Sequence, residues 1–107
     1  MYINDLSELV TKTVTANTDY ITSYVSAKVK GKLLHIAGLF VVNTEIPINT
    51  TILTIDDVDI DSGYSSFVAS NTTNRNVTID GSNHVKCGGS YKIPTGTYCI
   101  DTWAPLK

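Results

Sequence analysis

The chain has 107 residues, of which 42% are hydrophobic and 17% charged, with a formal net charge of -2. That length suits one domain with a single core and leaves no room for a second, and the charge balance excludes the dense basic face that nucleic-acid binding needs. No apolar run nears the roughly 20 residues of a membrane-spanning helix, and the N-terminus lacks the basic, apolar and small-residue order of a signal peptide.

With so few charges, the surface must be covered largely by Thr, Ser and Asn. Thr, Val, Ile and Tyr suit a pleated, half-buried strand, whereas the strong helix formers are used sparingly. The expected fold is all-β, an antiparallel, jelly-roll-like β-sandwich over residues 19–107, preceded by an N-terminal segment over 1–18. In that segment Asp5 and Glu8 match a capping box, with Leu6, Leu9 and Val10 on one helical face. This predicts a short helix ending near Thr11 to Val14, either a neck leading into the β domain or a terminal turn packed on it.

From Tyr20 the pattern changes to period two. Ile21, Val25, Ala27 and Val29 share one face, with Tyr20, Thr22, Tyr24, Ser26 and Lys28 opposite. Lys30, Gly31 and Lys32 form the predicted hairpin tip, and Lys28, Lys30 and Lys32 read as solvated edge charges. The next strand, Leu33 to Val42, is apolar on both faces: Leu34, Ile36, Phe40 and Val42 on one, and Leu33, Ala37, Leu39 and Val41 beside His35 on the other. A contiguous apolar stripe needs cover. Another element of the same chain could supply it, but a neighbouring copy is preferred, which makes Leu33, His35, Ala37, Leu39 and Val41 the expected oligomer interface.

Glu45 to Asn49, with Pro47, reads as a connection, and Thr50 to Ile55 as a strand. Asp56 to Asp61 alternates carboxylates with Val58 and Ile60, which brings calcium to mind. With Asp57 first in an EF-hand loop, however, Ser62 and Val68 stand where glycine and a bidentate Glu are required, so a solvent-facing loop or strand is the simpler reading. No metal site is expected. Tyr64 to Ser70 is a further strand around Phe67, followed by the polar loop Asn71 to Asn74.

Val77 and Ile79 then alternate with Asn76, Thr78 and Asp80. A loop of Gly81, Ser82 and Asn83 sets Ile79 opposite Val85 and Val77 opposite Cys87, whereas a two-residue loop would put these pairs on opposite faces. Gly88 and Gly89 break the next segment, and Pro94-Thr95-Gly96 is a turn. The last strand sets Tyr98, Ile100 and Thr102 against Cys99, Asp101 and Trp103, and Pro105 ends it. Cys87 and Cys99 are the two cysteines, with no CxxC or Cys-His spacing, and are expected as free thiols.

Catalysis needs a nucleophile, base or metal constellation. The chain has no GxSxG, HExxH or phosphate-binding loop and no pair of carboxylates suited to glycoside hydrolysis, so no enzyme and no cofactor are expected. His35 reads as a packed or interface residue and His84 as exposed. For binding, aromatic rings and planar polar groups near loops are the useful chemistry, because sugars stack on aromatics and bond to Asn and Arg. Tyr64, Asn74, Arg75, Tyr91 and Trp103 are the candidate ligand-binding residues.

The run Tyr24-Val25-Ser26-Ala27-Lys28-Val29-Lys30-Gly31-Lys32-Leu33-Leu34-His35-Ile36-Ala37-Gly38 resembles the opening hairpin of C-terminal head domains in bacteriophage tail-fibre and baseplate proteins. Asn49 to Leu53 is similar to the middle of those domains, and Ile93-Pro94-Thr95-Gly96-Thr97-Tyr98-Cys99-Ile100 to their closing turn and strand. The likeness spans roughly residues 20 to 104. The acidic stretch Asp56 to Asp61 stands where the family commonly has a proline-containing segment. The resemblance implies a homotrimer located in a virion tail or baseplate, whose heads contact a host cell-surface saccharide without hydrolysing it. Two other readings stay open: a trimerisation or capping module with no host ligand, and a carbohydrate-binding module of a secreted enzyme.

Overall fold

Period-two alternation is satisfied when strands turn their apolar sides to one shared interior, and this chain builds a single sheet of nine strands around one. The computed structural model describes residues 9–61, 64–80, 83–89 and 91–107, without the side chains of Tyr64 and Asp80. The strands are β1 (Val10–Lys12), β2 (Val14–Ala16), β3 (Ile21–Lys30), β4 (Leu33–Val42), β5 (Thr51–Ile55), β6 (Tyr64–Ala69), β7 (Asn74–Asp80), β8 (His84–Cys87) and β9 (Gly96–Pro105). Their order across the sheet is β1-β3-β4-β9-β6-β7-β8-β5-β2, with every neighbouring pair antiparallel.

The two ends of that order are consecutive in the chain. β1 pairs with β3, setting Val10 against Val29, while β2 pairs with β5, setting Val14 against Ile55. Between them the Thr13 carbonyl accepts from the Asp56 amide at 2.9 Å. One extended N-terminal stretch thus lies along both free margins and nearly closes the sheet, giving a sandwich- or barrel-like all-β fold. The expected antiparallel β architecture is realised as one nearly closed nine-stranded sheet.

This corrects the expected extension of an N-terminal helix to residues 11–14, where the chain forms β1 and β2. The capping box of Asp5 and Glu8 lies outside the described residues, but from Val10 the segment is strand, and among the described residues there is no helix. The β-branched run of Thr11, Thr13, Val14 and Thr15 finds ladder partners on two sides, which outweighs a three-residue helical spacing. Asn17 then turns the chain into β3. Its backbone amide donates to the Ile52 carbonyl and its Nδ2 to the Thr51 carbonyl, both at 2.9 Å.

Inside the ring the core is apolar throughout: twenty buried hydrophobic residues and, among the described residues, no buried polar or charged one. β4 supplies Leu34, Ile36, Phe40 and Val42, β5 supplies Ile52, Leu53 and Ile55, and β9 supplies Tyr98, Ile100 and Ala104. Phe40 and Tyr98 are register partners whose rings stack at 5.7 Å, and the Tyr98 hydroxyl donates to the Pro94 carbonyl at 2.9 Å. Ile46, Ile60 and Ile93 reach the core from connections, Ile46 and Ile93 through a bridge of their own.

The hairpin registers match the expected alternation. Lys30 pairs with Leu33 around Gly31, whose φ of 62° supplies the left-handed turn, and Val77 faces Cys87 while Ile79 faces Val85. The acidic stretch is a loop: Ile60 is buried and bridged to Leu106, and Asp59 meets Lys107 Nζ at 3.8 Å. Its alternation separates one anchoring isoleucine from outward carboxylates. His84, expected to be exposed, is half-buried because it pairs with both Thr54 and Asp80.

Gly38 occupies an inward position of β4 opposite Val25, with a φ of 143°. A methyl group there would lie 2.5 Å from the Tyr24 carbonyl oxygen and 2.8 Å from Val25 Cα. Gly38→Ala is therefore expected to cost about 2 kcal/mol or more, because backbone cannot yield as a side chain can. Urea denaturation checks this, and an unchanged midpoint would show that β3 and β4 are not held so close at this point.

Candidate functional site

Once the interior is filled, the large apolar groups left on the outside need another explanation. On β6, Val68 points inward, so Phe67 points outward and is 65% exposed. The Ser70–Thr73 turn, in which the Ser70 amide donates to the Thr73 carbonyl at 2.8 Å, sets Ala69 against Asn74 and therefore Phe67 against Asn76. The outer side of this hairpin thus carries a ring beside two amides.

Phe67, Asn74, Arg75, Asn76, Gly88 and Tyr91 line a cleft of about 320 Å³. Tyr91 is 70% exposed. Asn76 is fixed from two directions, its Nδ2 donating to the Ser66 carbonyl at 3.2 Å and its own carbonyl accepting from the Gly88 amide at 3.1 Å. Arg75 pairs with Val68 and has the phase of Val77 and Ile79, but it stands near the start of β7, where its long side chain reaches out of the core. Nε donates to the Lys92 carbonyl at 2.8 Å and Nη1 to the Asn74 carbonyl at 2.9 Å, while the guanidinium carbon lies 5.6 Å from the Tyr91 ring centre. The cation–π contact and two carbonyls hold the guanidinium in place.

Three of the five expected ligand-binding residues, Asn74, Arg75 and Tyr91, therefore share one cleft. Tyr64 opens β6, the strand that carries Phe67, and its side chain lies outside the described residues. Trp103 is not in the cleft. It lies on the outer face of β9, 52% exposed, with its ring stacked on His35 at 4.1 Å and 9°. The His35 Nε2–H donates to Asp101 Oδ1 at 2.7 Å. Phe67 and Asn76 were not among the expected binding residues. The signal for both was the inward phase of Val77 and Ile79, which the hairpin register carries across to β6.

The stripe expected at an oligomer interface lies on the outer face of β4. Leu33 and Leu39 are exposed, and His35, Ala37 and Val41 are half-buried between neighbours on β3 and β9. Tyr24, opposite Leu39, is 70% exposed. Within the described chain no element covers this face.

Among the described residues no group of three or more His, Cys, Asp or Glu side chains gathers as a metal site requires. Among the described residues no helix is long and apolar enough to cross a membrane. No family model, curated protein or solved structure matches the chain. What the cleft can bind therefore follows from its own residues.

Both cysteines are free thiols, Cys87 buried on β8 and Cys99 exposed on β9. Burial pushes the Cys87 thiol up, against the opposing pull of a backbone hydrogen bond from Ile93 and the charge of Arg75; burial likewise raises the Tyr98 phenol, against Arg75. Both groups lose their protons more readily in the unfolded chain, so stability is retained below the ordinary thiol value of 9.0 and declines as pH rises beyond it. Thermal melts across the alkaline range test that sign; stability rising above pH 9 would contradict it. In the folded protein a thiol reagent at pH 8 is expected to label Cys99 alone, Cys87 following only in denaturant. Equal labelling rates would place Cys87 outside the core.

Proposed function

We propose that this chain is a non-enzymatic saccharide-binding head domain of the kind found at the ends of bacteriophage tail fibres and in baseplates, acting as a homotrimer at a virion tail. The observation that carries the binding reading is the cleft itself, where exposed Phe67 and Tyr91 stand beside Asn74, Asn76 and Arg75. Sugar rings present apolar C–H faces and a rim of hydroxyls, and this set answers both, with rings to stack on and amide and guanidinium groups to bond with. The virion setting rests on the resemblance of the β3–β4 hairpin and of the closing turn and strand.

The lining of the cleft is two rings, two amides, a guanidinium and Gly88, a set suited to holding a sugar. His35 and Asp101 form a pair on another face, with Trp103 stacked over the imidazole.

The second reading, a trimerisation or capping module without host ligand, is favoured by the outer face of β4. Leu33 and Leu39, flanked by Tyr24 on β3 and Trp103 on β9, form a surface that a second copy could cover. The two readings share the assembly and differ in the cleft. A carbohydrate-binding module of a secreted enzyme would keep the cleft and have no need of the stripe.

Binding to bacterial cell-wall polysaccharides, followed by calorimetry, is expected to weaken about tenfold in Tyr91→Ala and in Phe67→Ala, with little change in melting temperature because both rings are exposed. Unchanged binding in both variants would remove the cleft from the account, and no binding by any preparation would favour the structural module. Light scattering is expected to give a trimer that Leu39→Lys dissociates; a monomer at high micromolar concentration would contradict the assembly.

A further inference from the structure

We propose that the cleft selects a saccharide bearing a carboxylate, a uronic-acid type of sugar, and that Arg75 reads the charge; this rests on the cleft being the saccharide site. Arg75 is the only arginine in the chain. It is half-buried, and its contacts are neutral: the carbonyls of Lys92 and Asn74 and the ring of Tyr91. Those two hydrogen bonds use two of the five guanidinium N–H groups, leaving three outside them.

The other lining residues, Phe67, Asn74, Asn76, Gly88 and Tyr91, are uncharged. The carboxylate of Glu45, on the adjoining connection, is instead 4.0 Å from Lys92 Nζ. A partly desolvated cation whose partners are all dipoles gains more from an incoming anion than a fully solvated one does, since part of its hydration is already gone. The field of Arg75 is felt beyond the cleft, because it opposes the effect of burial on both Cys87 and Tyr98.

The type of anion follows from shape and charge. A guanidinium is planar, and its fork matches the two oxygens of a carboxylate. One positive charge balances a monoanion, whereas a dianionic phosphate would call for further cations, which the lining lacks. Tyr91 and Phe67 supply the ring platforms that make the ligand a sugar acid and not a bare carboxylate, and the amides of Asn74 and Asn76 offer donors and acceptors to its hydroxyls.

The test uses the full chain and short oligomers of galacturonic, glucuronic and mannuronic acid, each beside its methyl ester, which keeps the ring and removes the charge. At least one acid is expected to bind about tenfold more tightly than its ester, with the advantage shrinking as salt is raised. That advantage should vanish in Arg75→Gln and fall to an intermediate value in Arg75→Lys, which keeps the charge without the fork. The comparison of acid with ester needs only the unaltered chain, so it stands even where a variant folds poorly. Equal binding of acids and esters overturns the charge selection and leaves the saccharide reading intact. Tighter binding of a sugar phosphate than of any uronate overturns it in favour of phosphate. Failure of acids, esters and neutral glycans alike overturns the saccharide reading, and this inference with it.

Discussion

The structure depends on the N-terminal stretch that lies along both margins of the sheet. β3 and β5 would otherwise end in rows of unpaired amides and carbonyls, open to pairing with other chains. By giving three residues to β3 and three to β5, with Thr13 between them bonded to Asp56, the chain covers part of each edge and nearly closes the sheet. Closure also fixes what counts as inside. The strands then share one interior, where twenty apolar residues are buried and, among the described residues, no polar or charged one is.

That filled interior gives meaning to the aromatics outside it. Phe67, Tyr91, Tyr24 and Trp103 are each more than half exposed although the chain has an apolar core in which rings do fit, as Phe40 and Tyr98 do. They fall on two surfaces. Tyr24 and Trp103 flank the β4 stripe, where Trp103 covers His35 and Leu33 and Leu39 are exposed among Lys28, Ser26 and Asp101. Phe67 and Tyr91 border a cleft whose remaining contacts are amides and a guanidinium. The first surface offers large exposed apolar groups and the second rings beside amides and a guanidinium, which is why assembly and recognition are proposed for different faces.

Much of this was legible in the residues. The inward sets of β3, β4 and β9, the tip at Gly31 and the Val77–Cys87 and Ile79–Val85 register all follow from alternation and loop parity, which are local properties. The N-terminal strands were not legible, because Val10 to Ala16 gains its partners from Lys28 and Thr54, far along the chain, and only closure of the ring brings both within reach. The grouping of Asn74, Arg75 and Tyr91 was legible as chemistry but not as a place. Phe67 was overlooked because a lone ring in a strand reads as core, and its outward phase appears only once the β6–β7 register is known. Trp103 had the right chemistry for a sugar platform, but cross-strand pairing with His35 sets it in the β4 surface instead.

The central claim is that the polar, ring-bordered cleft at the β6–β7 hairpin is where ligand binds, while the β4 face is where copies meet. An amide correlation spectrum of the isotopically labelled protein, titrated with a saccharide that it binds, tests this directly. The account predicts that shifts cluster at residues 67, 74–76, 88 and 91, with β4 and β9 from Leu33 to Leu39 and Cys99 to Trp103 unmoved. Shifts centred on Trp103 and His35, with the Phe67 and Tyr91 signals unchanged, would contradict it.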